Sequence, residues 1–226
     1  MTNIWERYEI IQCIQGSPPV VIAGESHQSE ASGRLINEVL DAKDWSVVCV
    51  ELCFSRLGYQ GEDEPPSVET VQLNHGFAEA IEYCHENNTP LALVDVPESV
   101  TRQRIRQTAV TTSKLGDVLE RANANISPTE SGDIKLDAVQ ECVDCTREEI
   151  PEVHDVVHGK RDREIAKHVA RVQRVYDGAV LVIVGAAHVI PLVEVFRDGL
   201  HDTETDFRVF VYYDDERSMI SSGDRE

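Results

Sequence analysis

The feature that most constrains this chain is a series of short apolar runs rich in β-branched residues, each followed by a stretch of helical periodicity. Residues 20–23, 47–50, 91–94 and 180–184 are almost continuously hydrophobic, as strands buried on both faces are. A fifth run covers 207–213. Between them, 29–43 places Leu35, Ile36, Val39 and Leu40 on one side of a helix, and 68–88 repeats Val71, Phe77, Ala78, Ile81 and Tyr83. Pro97 begins another helix, with Glu98 in its first turn and the pattern running on to 122. A further helix, 162–176, carries Ile165, Ala166, Val169 and Val172 at helical spacing. Strand–helix alternation predicts an α/β fold, a mostly parallel central sheet flanked by helices.

Asp95 and Val180 lie 85 positions apart, far more than one crossover requires. The polar loops 58–67 and 123–133 punctuate the chain around this span. We therefore expect a single domain over 1–226, a helical insertion at about 97–158 between the third and fourth core strands, and a polar tail over 214–226. Residues 1–16 fit a helix or a strand.

Acidic residues number 41 against 21 basic ones, a net charge of −20. Such a surface repels the phosphate backbone, so a nucleic-acid partner is not expected, and neither is an anionic membrane. No apolar run reaches the ~18–20 residues that span a bilayer. The N-terminus does not read as a signal peptide. The expectation is a soluble, cytoplasmic protein whose oligomeric state is open, a dimer being one option. Only five of the basic residues are lysines. An acidic, lysine-poor surface is what molar salt favours, because salt screens the self-repulsion and carboxylates hold water and cations. A halophilic protein of this kind should lose stability as KCl falls from ~1 M to ~0.1 M, since the Debye length grows from about 3 to about 10 Å. An unfolding midpoint that stays flat over that range rejects the halophilic reading.

The residues just past each buried run carry the chemistry. The first run ends in Gly24-Glu25-Ser26-His27, the second in Glu51, the third in Asp95 and the fourth in Gly185-Ala186-Ala187-His188. Ligand crevices of open parallel sheets form at the carboxyl ends of the strands. Two histidines and two carboxylates from distant positions are thus expected to converge. Together they suit either a divalent metal that acidifies a bound water or a metal-free carboxylate–histidine base. The glycine three residues before each histidine permits a tight turn and close backbone approach. Thr101 and Arg104, at i,i+3, share a helix face beyond the third strand, and Arg161 opens a later helix. These arginines are expected either to line a pocket for an anionic group or to pair with surface acids.

Two other patterns are expected to be inert. Cys142-Val143-Asp144-Cys145 is a CxxC with no second pair to complete a zinc site, and reads as two thiols on a helix. His154-Asp155-Val156-Val157-His158 approaches HExxH but has Asp in place of the glutamate, and reads as a solvent-facing helix end or loop.

Taken in order, five blocks resemble the TraB/PrgY-like family, part of a wider group with the Tiki, ChaN-like and erythromycin esterase-like proteins. They are VVIAGESHQSEAS, VVCVELCFSR with Glu51 and Arg56, LALVDVPESVTRQR with Asp95, Thr101 and Arg104, KRDREIAKHV with Arg161-Asp162, and VLVIVGAAHVIPL. Lys160 stands where the family usually has Glu, and Glu25 where TraB-like members often have Thr. The resemblance implies a catalytic set of His27, Glu51, His188 and Arg161. It also implies substrate contacts from Arg56, Asp95, Thr101, Arg104 and Glu25, and a divalent metal (Mn, Co or Zn) on His27, Glu51 and His188. The implied activity is hydrolysis of a peptide or other amide or ester. Its rivals are a regulatory protein that sequesters a peptide or small anion in the same pocket, and a haem- or iron-handling protein of the ChaN kind. Many microbial relatives carry C-terminal membrane helices. The polar end of this chain predicts a form without them.

Overall fold

The computed structural model describes residues 9–11, 19–25, 30–53, 56, 75–124, 136–198, 209–213 and 216–220. The strands are β1 (Glu9–Ile11), β2 (Val20–Glu25), β3 (Val47–Val50), β4 (Leu91–Leu93), β5 (Val180–Gly185), β6 (Val209–Tyr213) and β7 (Glu216–Ile220). They form one sheet in the order β1-β2-β5-β3-β4-β6-β7. The central four, β2, β5, β3 and β4, are mutually parallel. Antiparallel β1 flanks one edge, and β6 with β7 the other. The α/β expectation holds. Glu216–Ile220, expected as polar tail, instead pairs with β6 as a strand, because an antiparallel neighbour needs only a short turn.

The helices are α1 (Glu30–Asp41), α2 (His75–Asn87), α3 (Glu98–Arg106), α4 (Thr112–Ala124), α5 (Leu136–Glu149), α6 (Pro151–His154), α7 (Asp162–Val175) and α8 (Ala186–Arg197). Every residue of β5 is buried, which explains its unbroken hydrophobicity. Alternate strand residues enter two cores. Val21, Ala23, Val48, Val50, Leu181 and Ile183 pack with Ile36, Val39 and Leu40 of α1 and Phe77 and Ala80 of α2. Val20, Ile22, Val182 and Val184 pack with Ile165, Ala166 and Val169 of α7 and Leu192 and Phe196 of α8. The period-two alternation of strand side chains thus feeds both faces of the sheet.

Helix ends follow local chemistry. Asn88 adopts φ 52° after α2, and the Thr89 N–H returns to the Cys84 carbonyl at 2.9 Å, a left-handed C-terminal cap. The helix expected to run from 97 to 122 is two helices, broken over 107–111 between α3 and α4. Helical propensity does not specify such a break, and packing does. Val118, Ile150 and Val153 form a small separate core, with Ile105 and Leu115 against it. Between α6 and α7 the chain widens into a π-helical turn, Asp155–Arg161.

Connections decide where a site can form. α1 and α2, which come after β2 and β3, cover one face, while α8, which comes after β5, covers the other. The chain therefore leaves the carboxyl end of β5 in the direction opposite to both neighbours, the arrangement that opens a crevice. Gly24 lets β2 close against the start of α8. A Cβ there would lie 2.7 Å from Val189 Cγ2 and 3.2 Å from the Ala186 backbone. Gly24→Ala should cost about 1–3 kcal/mol through overpacking. Thermal unfolding at fixed salt measures it, and an unchanged midpoint would show that β2 and α8 yield freely.

Candidate active site

Arg161, the last residue of the π-helical turn, is the hub. It is 6% exposed. Its Nε donates to Asp95 Oδ1 at 2.8 Å and its Nη2 to Asp95 Oδ2 at 2.7 Å, a bidentate fork. The same Nη2 donates to Glu51 Oε1, and Nη1 lies 3.1 Å from His188 Nε2. The guanidinium plane thus ties together the carboxyl ends of β3, β4 and β5. Burial disfavours its charge, but Glu51, Asp95 and Asp162 outweigh burial and hold its pKa above the ordinary arginine value.

Glu51 joins two elements. Its Oε2 accepts the Gly185 N–H at 2.7 Å, so the carboxylate sits at the positive end of α8. Gly185 ends β5 and precedes α8 directly, which puts His188 in the first helical turn instead of in a loop. His188 stands between two acids: Nδ1 is 2.7 Å from Asp162 Oδ1 and Nε2 is 3.4 Å from Glu51 Oε1. Burial works against the imidazolium, Asp162 and Glu51 work for it, and the acids win, so the pKa of His188 lies above the usual histidine value. When neutral, His188 donates from Nδ1 to Asp162 and accepts from Arg161 at Nε2. When protonated, its Nε2–H has the Glu51 carboxylate as its acidic neighbour, 3.4 Å away. Asp162 is wholly buried and also faces His158 Nδ1 at 3.2 Å through Oδ2.

Arg56 reaches the cluster from its rim. Its Nη1 is 3.5 Å from Asp95 Oδ2, and its side chain is 32% exposed. Of the residues expected at the site, Glu51, Arg56, Asp95, Arg161 and His188 meet. His27 lies outside the described residues. Glu25 is buried but turned toward α2, where a Cβ on Gly76 would meet its Oε2. Thr101 and Arg104 sit partly exposed on α3, which buries none of its residues, and neither joins the network of described side chains.

A metal on Glu51 and His188 Nε2 does not fit this arrangement. Arg161 donates to Glu51 Oε1 and faces Nε2, so a cation already occupies the lone pairs that would ligate. Among the described residues, His158, Asp162 and His188 form a buried group that could hold a metal ion. Only His188 is shared with the expected ligand set. The expectation that His158 faces solvent is overturned. It is buried, its ring is 5.1 Å from that of His188, and burial lowers its pKa. α8 packs against the π-helical turn and brings the His188 ring onto that of His158, which takes it out of solvent. The sequence signal was the spacing of His154, His158 and Asp162, four residues apart each time on a chain otherwise read as surface. The CxxC lies on α5 with Cys142 buried and Cys145 partly exposed, both free thiols, as expected.

No protein-family model matches the chain, and no curated protein sequence matches it. Among the described residues, no helix is long and apolar enough to cross a membrane.

Proposed function

We propose that this protein is a hydrolase acting on a peptide or another amide or ester at the carboxyl ends of β3, β4 and β5. One observation carries the reading: an imidazole, His188, held between the carboxylates of Asp162 and Glu51 at 2.7 and 3.4 Å. Such an imidazole can hold a proton at Nε2 and pass it to a neighbouring group, the exchange that attack by water and departure of the leaving group both require. Glu51 is the acid–base partner on the Nε2 side. Asp162 orients the ring and stabilises its charged form. Arg161 is engaged on all sides and positions Glu51 and His188. Arg56, partly exposed, is the arginine able to meet a substrate carbonyl or carboxylate. The resemblance to the TraB/PrgY-like family names the same Glu51, Arg56, Arg161 and His188, and adds His27. Turnover of a peptide and ester panel in molar KCl, with and without added Mn²⁺, Co²⁺ or Zn²⁺, tests the reading. No turnover on any member, with the fold intact, rejects it.

A second reading has its own support. The buried guanidinium of Arg161 already meets Glu51, Asp95 and His188, while Arg56 stays partly exposed beside Asp95. A non-catalytic protein that sequesters a small anion or a peptide carboxylate would use Arg56 in this way. Tight binding of such a ligand without turnover would distinguish it.

A further inference from the structure

Behind the face of His188 that meets Glu51 lies a second arrangement. His158 and His188 both turn Nδ1 toward one carboxylate, that of Asp162, at 3.2 and 2.7 Å. All three side chains are buried, and each offers a ligand atom within 4.8 Å of the others. The third ring of the stack, His154, lies 5.2 Å from His158, and its Nε2 is buried without a hydrogen-bond partner among the described residues. Three imidazoles and a carboxylate thus meet from two segments, 154–162 and the start of α8. His158 comes from the π-helical turn, a backbone that recurs at functional sites, with His154 just before it and Asp162 just after, while His188 comes from α8.

We propose that His158, Asp162 and His188 form a Zn²⁺ site that uses the Nδ1 atoms of both histidines. Two imidazoles, one carboxylate and a fourth position for water or His154 make the ligand set of an open zinc centre. Bonds of about 2.0–2.1 Å place tetrahedral ligands roughly 3.4 Å apart, so each Nδ1, now 3.2 or 2.7 Å from an Asp162 oxygen, needs only to ease back from the carboxylate to admit the ion. This site deepens the proposed function and rests on the same His188, but on its other nitrogen.

The proton balance couples the two faces. An imidazole ligating through Nδ1 has no proton there, so its remaining proton sits on Nε2. Nε2 then stops accepting from Arg161 and donates to Glu51 Oε1, at present 3.4 Å away. Ligating histidines commonly donate their other N–H to a carboxylate in this way. Zn²⁺ would therefore release the Arg161–His188 contact and tighten His188 against Glu51, setting the protonation of the hydrolytic face from behind.

The test uses the whole chain in molar KCl, with Co²⁺ as a visible probe of the zinc site. The wild type should bind one equivalent with the intense d–d bands of a low-coordinate site, and Zn²⁺ should bleach them. His158→Ala and Asp162→Asn should each weaken Co²⁺ binding at least ~10-fold, the lower end of what loss of a metal-site partner costs. Should either variant fail to fold, titration of the wild type decides, because Zn²⁺ must then shift the ¹⁵N resonance of His188 Nδ1 rather than Nε2. Wild-type-like binding in both folded variants overturns the proposal. So does ligation through Nε2, or no stoichiometric binding by the wild type. None of these readouts needs turnover. Metal binding without hydrolysis would leave the site standing and reject the hydrolase, and hydrolysis without metal binding would do the reverse.

Discussion

Arg161→Ala should cost about 3–5 kcal/mol of folding stability, the usual penalty for stripping one partner from a buried ion pair. Glu51 and Asp95 are 2% and 6% exposed, so neither carboxylate can recover the lost interaction from water. Arg56 still offers Asp95 a contact at 3.5 Å, so Glu51 is the more exposed to the loss. Arg161→Lys should fall between wild type and alanine, because a single ammonium cannot reproduce a fork that meets acceptor atoms on three residues. The double variant Arg161→Ala/Glu51→Gln should cost clearly less than the sum of its parts, since removing the guanidinium and the charge together leaves less uncompensated. Urea unfolding at constant KCl measures the wild type, Arg161→Ala, Arg161→Lys, Glu51→Gln and the double variant. Additive costs, or an alanine variant as stable as wild type, would show that the network contributes little.

Glu51→Gln should lower hydrolytic turnover at least ~100-fold, the lower end of what a positioned acid–base group contributes. The amide keeps the size of the side chain, but its single oxygen can take over only one of the contacts that Glu51 makes through separate oxygens to Arg161 and Gly185. The substitution also removes one of the charges that raise the pKa of His188. The folded-state pKa of His188 should therefore fall toward the ordinary value. With neutral His188 as the base in the metal-free protein, the acid limb of the kcat/KM profile should move to lower pH in the variant. That displacement separates a part in the chemistry from a part in folding, which would lower yield or stability without moving the profile. Full activity in Glu51→Gln, with the wild-type pH profile, would remove Glu51 from the reaction.

Much of the fold was legible in the residues themselves. Unbroken apolar runs such as Val180–Gly185 announce strands covered on both faces, because no other short element buries every side chain. Ionisable residues placed directly after such runs must lie at strand carboxyl ends, and parallel pairing puts those ends on one side. Glu51, Asp95 and His188 were therefore expected together and are found together. The edge strands were less legible. β7 is polar, and only its antiparallel pairing with β6 makes it a strand.

The tertiary structure alone decided which polar atoms face each other. Nothing in the spacing of Arg161 reveals that its guanidinium stands between Glu51, Asp95 and His188, because those residues are 110, 66 and 27 positions away. His158 was misjudged for a related reason. A helical wheel groups His154, His158 and Asp162 on one face but does not say whether that face is covered, and it is the packing of α8 against it that buries the ring. Pattern reports the faces that hydrophobicity must bury. The partner of a buried charge depends on the three-dimensional paths of several distant segments at once, and no local period carries that information.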